Sequence, residues 1–78
     1  MNKPWVLFHL KESSKELQSA IDALERGAVS DEEFEIGITR AYHHLNTAWN
    51  SRSISDEKAR DHTDWDFVQW SQFPKELK

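Results

Sequence analysis

Apolar residues along the chain predict two long amphipathic helices. In residues 3–26 they recur at helical spacing as one stripe: Val6, Leu10, Leu17, Ile21 and Leu24. In residues 31–52 a second stripe contains Phe34, Ile38, Ala41, Leu45 and Ala48, and Tyr42 and Trp49 widen it. Only a short connection at Gly27-Ala28-Val29 separates the two segments, so we expect an antiparallel helical hairpin.

Local signals predict where these two helices begin and end. Asn2 is a suitable cap for the first helix, and Gly27 fits the position after its last turn. Ser30, followed by Glu33, has the spacing of a capping box at the start of the second helix. Gly37 lies beside the second stripe, where it would allow close approach of another backbone at a cost of roughly 1 kcal/mol in helix propensity.

The C-terminal segment predicts one or two short helices packed over one end of the hairpin. Ser55 can start a turn at about residues 55–61, and Thr63 with Asp66 forms a capping box for a helix at about 64–72. Pro74 disfavours helical geometry in the residue before it. These elements together predict a single small all-α domain spanning residues 1–78.

The end of the second predicted helix and the C-terminal segment together resemble known proteins. HHLNTAWNSR at residues 43–52, ISDE at 54–57 and the pattern DF-x2-W-x2-FP-x-EL at 66–77 are similar to the C-terminal half of short bacterial helical proteins that are themselves uncharacterised. The resemblance covers about residues 42–77 and implies that the C-terminal segment belongs to the fold. No activity and no binding residue comes with it.

Charge and composition exclude several classes of function. Ten basic and fourteen acidic residues give a net charge of −4, and no segment is basic, which disfavours direct binding of nucleic acid. The absence of cysteine excludes disulfides and thiolate metal sites. The apolar run at residues 4–10 is too short to span a bilayer and has no small-residue cleavage site after it, so we expect a cytoplasmic protein that does not enter membranes.

Aromatic residues are numerous for a chain of this length, with four tryptophans and four phenylalanines. An antiparallel hairpin places the start of the first helix beside the end of the second helix, close to the C-terminal segment. We therefore expect a structural hub at this end of the hairpin, with Trp49 in contact with both the first helix and the C-terminal segment. The residues of the predicted hub are Trp5, Phe8, Tyr42, Trp49, Trp65, Trp70 and Phe73.

All four histidines, His9, His43, His44 and His62, fall toward the same end. A zinc or iron site needs three or four converging ligands, and adjacent His43 and His44 diverge by about 100° around a helix. We therefore expect no metal and no cofactor, with one histidine of the pair hydrogen-bonded inside this end and the other solvated. A metal or small-ligand site at this histidine-rich end is the alternative.

A polar run follows the second stripe and includes Asn46, Thr47, Asn50 and Ser51. We interpret these side chains as hydrogen-bonding partners for the backbone of the C-terminal segment, because buried backbone groups need partners. A small recognition surface is the alternative interpretation.

No nucleophile elbow, phosphate loop or dinucleotide fingerprint is present, so the sequence does not indicate an enzyme. Leu17, Ile21, Leu24 and Phe34 lie in the half of the hairpin that no third element covers, which predicts an interface with a second copy of the chain or with an unknown protein partner. The sequence thus favours a non-enzymatic protein–protein interaction or regulatory module, and the alternative is a binder of metal or small ligands.

Overall fold

The structure is a computed structural model that describes residues 1–77. These residues form four helices and no strand: α1 (Lys3–Arg26), α2 (Asp31–Asn50), α3 (Asp56–Arg60) and α4 (Asp64–Trp70). α1 and α2 pair along their length as a hairpin, and α4 packs against α2. The predicted all-α fold is confirmed. Within residues 1–77, no helix is both long and apolar enough to cross a membrane.

The caps of α1 follow from the residues at its two ends. The Asn2 side chain accepts a hydrogen bond from the Trp5 backbone N–H at 3.3 Å. Gly27 has a φ of 68°, in the left-handed region that a residue with a Cβ rarely adopts. This turn lets the backbone N–H of Gly27 bond to the Leu24 carbonyl at 3.0 Å, and it sends the chain back toward α2.

α2 is two residues shorter than predicted. Its start has only half of a capping box. The Ser30 hydroxyl accepts a hydrogen bond from the Glu33 backbone N–H. The Glu33 carboxylate, however, accepts from the Ser30 hydroxyl rather than from the Ser30 backbone N–H. At the other end the Ser51 hydroxyl donates back to the Thr47 carbonyl, and the chain turns through residues 51–53. The Ser51 backbone N–H bonds to the same carbonyl at 3.0 Å, and Ser51 is the C-cap of α2.

The short helices match their predicted starts. Thr63 and Asp66 form a complete capping box at α4, and the Lys58 ammonium lies 2.8 Å from the Asp66 carboxylate. The hydrogen bond from Lys58, aided by the Thr63 backbone N–H, holds the pKa of Asp66 below its usual value. α4 ends at Trp70, earlier than the predicted residue 72.

Small residues form the contact between α1 and α2. Ser13 and Ala41 are both buried, and the Ser13 hydroxyl donates to the Ala41 carbonyl at 3.0 Å. Ala48 is buried further along α2. The large apolar residues of the two stripes lie to one side of this contact and remain partly exposed.

Asparagine side chains attach the C-terminal segment to the hairpin. The Asn46 amide donates to the Ser71 carbonyl at 3.0 Å, and the Asn50 amide donates to the carbonyls of Trp70 at 2.8 Å and Gln72 at 2.7 Å. At the start of α1, the Asn2 amide donates to the Ile54 carbonyl at 3.1 Å. The interpretation of the polar run as backbone anchors is confirmed for Asn46 and Asn50, whereas the Ser51 hydroxyl bonds within the hairpin instead.

Candidate functional site

Five rings meet where the C-terminal segment crosses the hairpin, and we call them the aromatic–histidine cluster. Its members are Trp5, His9, His44, His62 and Trp70. The Trp5 ring centroid lies 4.4 Å from that of His9, 5.8 Å from His62 and 6.0 Å from Trp70, in edge-on arrangements. Edge-to-face pairs at these separations are favourable for aromatic rings. Trp5 therefore joins α1 to the C-terminal segment.

Trp5 also connects α1 to α2 through a polar contact. Its indole Nε1–H donates to the Ser51 hydroxyl at 2.7 Å, and that hydroxyl in turn donates to the Thr47 carbonyl. Ser51 is 2% exposed, so the indole finds its partner inside the protein rather than in water. A buried indole N–H without a partner would be costly, and this chain of hydrogen bonds avoids that cost.

His9 and His44 form a pair inside the cluster. Their Nδ1 atoms are 2.9 Å apart, so one ring donates to the other. Burial, together with the nearby His44 and His62 rings, lowers the pKa of His9 to about 4, and Glu12 opposes this shift. His9 is therefore neutral at pH 7, which fits a ring that bonds to His44 and lies near His62.

The cluster does not have the geometry of a metal site. No group of three His, Asp or Glu side chains among residues 1–77 is arranged to hold a metal ion. The His9–His44 separation is shorter than the roughly 3.3 Å between two nitrogens on a tetrahedral zinc ion. His62 Nδ1–H donates to the Ala59 carbonyl at 3.0 Å, and His43 lies apart with its ring near Phe67.

The predicted hub residues separate into different surroundings. Trp5 and Trp70 belong to the cluster, whereas Trp49 lies about 140° around α2 from His44. The Arg52 guanidinium carbon stands 3.9 Å from the centre of the Trp49 ring. The other predicted hub residues lie largely at the surface: Phe8 at 52%, Tyr42 at 43%, Trp65 at 70% and Phe73 at 57% exposure.

A shallow groove runs beside the cluster, between the start of α1 and α3. Its volume is about 410 Å³, and Trp5, Phe8 and Arg60 contribute to its wall. That volume is within the range of ligand pockets, roughly 300–1,000 Å³. The remaining lining residues are Asn2, Pro4, Asp56 and Ala59.

A second surface lies on the other side of the hairpin, and we call it the open stripe. Leu10 and Leu17 lie three residues before and four residues after Ser13, and Ile38 and Leu45 have the same offsets from Ala41. Ser13 and Ala41 are in contact, and equal offsets in two antiparallel helices bring side chains to the same side. The open stripe comprises Leu10, Leu17, Ile21, Leu24, Phe34, Ile38 and Leu45.

The open stripe is accessible along the whole hairpin. Its seven side chains are between 39% and 53% exposed. Near the crossing of the C-terminal segment, Leu10 and Leu45 flank a groove of about 220 Å³ that Trp49 also lines. The sequence predicted an uncovered surface only in the distal half, at Leu17, Ile21, Leu24 and Phe34. It missed Leu10, Ile38 and Leu45, although the small residues at Ser13 and Ala41 signalled where the helices meet.

Charged residues of opposite sign flank the two ends of the open stripe. Lys3 lies five helical turns before Ile21 on the same face of α1, and Glu25 lies one turn after Ile21. On α2, Asp31 lies two turns before Ile38. Arg52 lines the groove at the far end of α2. The interhelix connection thus carries the acidic end of the stripe, and the crossing of the C-terminal segment carries the basic end.

Comparison with protein-family models, curated proteins and solved structures finds no match to this chain.

Proposed function

We propose that this protein is a non-enzymatic protein–protein interaction module, that the open stripe is its binding surface, and that its partner is a second copy of the same chain. The observation that carries the proposal is the exposure of the seven large apolar side chains of the stripe, at 39% to 53% each. Exposed apolar surface of this extent typically marks an interface.

The size of the stripe supports a stable interface. α1 has 24 residues and is roughly 36 Å long, and two adjacent helices are roughly 20 Å wide. The face they present is therefore on the order of 700 Å². Stable complexes bury about 800 Å² on each partner, with a range of roughly 600–1,000 Å², so the face is within the size range of a stable interface.

The shape of the single chain gives a second argument. Its radius of gyration is 13.9 Å, against about 11.5 Å for a compact domain of the same length. Its accessible surface is 5896 Å², which exceeds by about 1,000 Å² that of a typical monomer of 9.2 kDa. The excess is close to the area that one partner of a standard interface buries.

Two isoleucines on α2 offer a matched test. Ile38 belongs to the open stripe, whereas Ile36 is 52% exposed on another face of the helix. Light scattering across a concentration series should show a wild-type dimer, a monomeric Ile38→Glu variant and a dimeric Ile36→Glu variant. A wild-type protein of 9.2 kDa at every concentration would overturn the proposal.

The groove beside Trp5 and Phe8 supports a second candidate function, the binding of a small ligand at the histidine-rich end. The groove has a volume of about 410 Å³, and Arg60 in its wall could pair with an anionic group. Metal analysis of the purified protein and mass spectrometry of small molecules released on unfolding distinguish the candidates. A bound species in stoichiometric amount, lost in Phe8→Ser, would favour this second function.

A further inference from the structure

We infer that the end of each hairpin that the C-terminal segment crosses (the tail) packs on the interhelix connection (the loop) of the other copy, an arrangement we call tail over loop. The basic end of each open stripe then lies on the acidic end of the other. In this arrangement α1 packs antiparallel to the partner's α1, and α2 packs antiparallel to the partner's α2. This inference rests on the proposed function. It adds the orientation of the partner, which the apolar residues alone do not determine.

Face-to-face packing of two hairpins about a twofold axis allows two arrangements. If the axis runs along the helices, loop lies on loop, and α1 faces the partner's α2. If the axis lies across the helices within the interface, the loop of each copy lies on the crossing end of the other. The apolar residues are spread along the whole hairpin and would be buried in either arrangement.

Charge separates the two arrangements. Loop on loop would bring Glu25 of one copy toward Asp31 of the other and would also bring Lys3 toward Arg52, so both ends would carry like charges. Tail over loop instead pairs Lys3 with Glu25 and Arg52 with Asp31. Like charges across an interface are costly, and complementary potentials determine the register of docking.

The register follows from the contact at the middle of the hairpin. α1 spans Lys3–Arg26, so its midpoint lies close to Ser14, at the height of the contact between Ser13 and Ala41. A twofold axis at Ser14 places Lys3 opposite Glu25, since each lies eleven residues from it. An axis at the height of Ala41 on α2 likewise places Arg52 near the start of the partner's α2, where Asp31 lies.

Cysteine cross-linking can distinguish the arrangements because the chain has no cysteine of its own. Ser14 is exposed at the edge of the stripe, Ala28 is exposed in the connection, and Ser19 is exposed on another face of α1. Single variants Ser14→Cys, Ala28→Cys and Ser19→Cys would be treated with a short bismaleimide and analysed by denaturing gel.

Tail over loop predicts a covalent dimer from Ser14→Cys and none from Ala28→Cys or Ser19→Cys. Covalent dimers from Ala28→Cys without Ser14→Cys would establish loop on loop and overturn the inference. Cross-linking only through Ser19→Cys, or through none of the three in a protein that scatters as a dimer, would overturn it too. Loop on loop, or a dimer that none of the three variants cross-links, leaves the proposed self-association through the open stripe intact, whereas cross-linking only through Ser19→Cys or a monomeric wild-type protein removes both proposals.

Charge exchange provides an independent measurement. Glu25→Lys should weaken the dimer about 5-fold, because the twofold axis creates two new like-charge contacts in each dimer. Adding Lys3→Glu in the same chain should restore the affinity to near the wild-type value. If the double variant is weaker than Glu25→Lys alone, these two residues do not face each other and the tail-over-loop register is wrong.

Discussion

The two sides of the hairpin achieve their packing in different ways. On the side that the C-terminal segment crosses, directed contacts dominate: Asn46 and Asn50 bind backbone carbonyls, and Trp5 bonds to Ser51. On the open stripe, the side chains are aliphatic or aromatic and no element of residues 1–77 covers them. On the first side, hydrogen bonds fix the position of the C-terminal segment. The second side is an exposed apolar surface that makes no directed contact.

This difference explains why the single chain can leave the apolar side chains of the open stripe exposed. Hydrogen bonds and small-residue packing require a defined neighbour, and Asn46, Asn50 and Trp5 find their hydrogen-bonding partners within the chain. The gain from apolar burial is roughly proportional to area and does not depend on direction, so a second chain can supply it. Stability should thus respond to substitutions on the crossed side, and association to substitutions on the open stripe.

The largest expected effect comes from removing the C-terminal segment. Truncation after Arg60 deletes Trp70 and the carbonyls that Asn46 and Asn50 bind, and it exposes the Trp5 ring. We expect the 1–60 fragment to aggregate or to lose cooperative unfolding, as judged by circular dichroism during heating. A fragment that melts cooperatively would show that the hairpin is stable without its crossing segment.

Two tryptophans test the comparison directly. Trp5→Ala should lower the free energy of unfolding by about 3 kcal/mol, since it removes a partly buried ring that contacts His9, His62 and Trp70 and leaves Ser51 without a donor. Trp49→Ala should cost the folded monomer less, about 1–2 kcal/mol, because its partly buried ring packs mainly on Arg52 and its buried indole N–H has no hydrogen-bond partner within residues 1–77, so the substitution also removes an unsatisfied donor. Urea denaturation of both variants gives the two values, and a larger loss for Trp49→Ala would reverse our assignment of the hub.

The pH dependence of stability should come from the crossed side. The pKa of His9 is lowered from 6.5 to about 4 in the folded state, so the unfolded chain binds the proton more readily. The contribution of His9 is thus fully present above pH 6.5, falls as the pH drops toward 4, and amounts to roughly 2–3 kcal/mol over that window.

Urea denaturation at several pH values between 4 and 6.5 measures this slope. His9→Phe removes the titrating ring and should flatten it, whereas His43→Asn, at a position outside the cluster, should leave the His9 contribution in place. An unchanged slope in His9→Phe would assign the pH dependence to another group.

The smallest expected effect is a gain in stability at the contact between α1 and α2. A Cβ at Gly37 would meet its nearest neighbour, the Ala20 Cβ, at 3.9 Å, which is ordinary van der Waals contact. Gly37→Ala should therefore raise the free energy of unfolding by about 0.5–1 kcal/mol through helix propensity. Gly27→Ala is the contrasting variant and should be destabilising, because Gly27 has a φ of 68°. If Gly37→Ala destabilises the protein instead, the two helices are closer than the structure indicates.

Much of the local structure could be predicted from the sequence. Asn2, Ser30 and Thr63 mark the helix starts, and Gly27 marks the end of α1, because caps depend on residues within a few positions of each other. The role of Asn46 and Asn50 also followed from a polar run beside a segment that needed partners. The end of α2 did not follow, since no glycine or proline marks it and its C-cap, Ser51, bonds to the Trp5 indole of α1.

The sequence by itself determined which residues are helical and which of their faces are apolar, because periodicity is a property of neighbours along one helix. Only the tertiary structure decided which part of each face meets the other helix. The contact runs through Ser13 and Ala41, which brings both sets of large side chains to one side. The tertiary structure likewise decided that Trp5, and not Trp49, joins α1 to the C-terminal segment. It depends on how far each helix is rotated about its own axis, and that rotation is fixed by packing between helices.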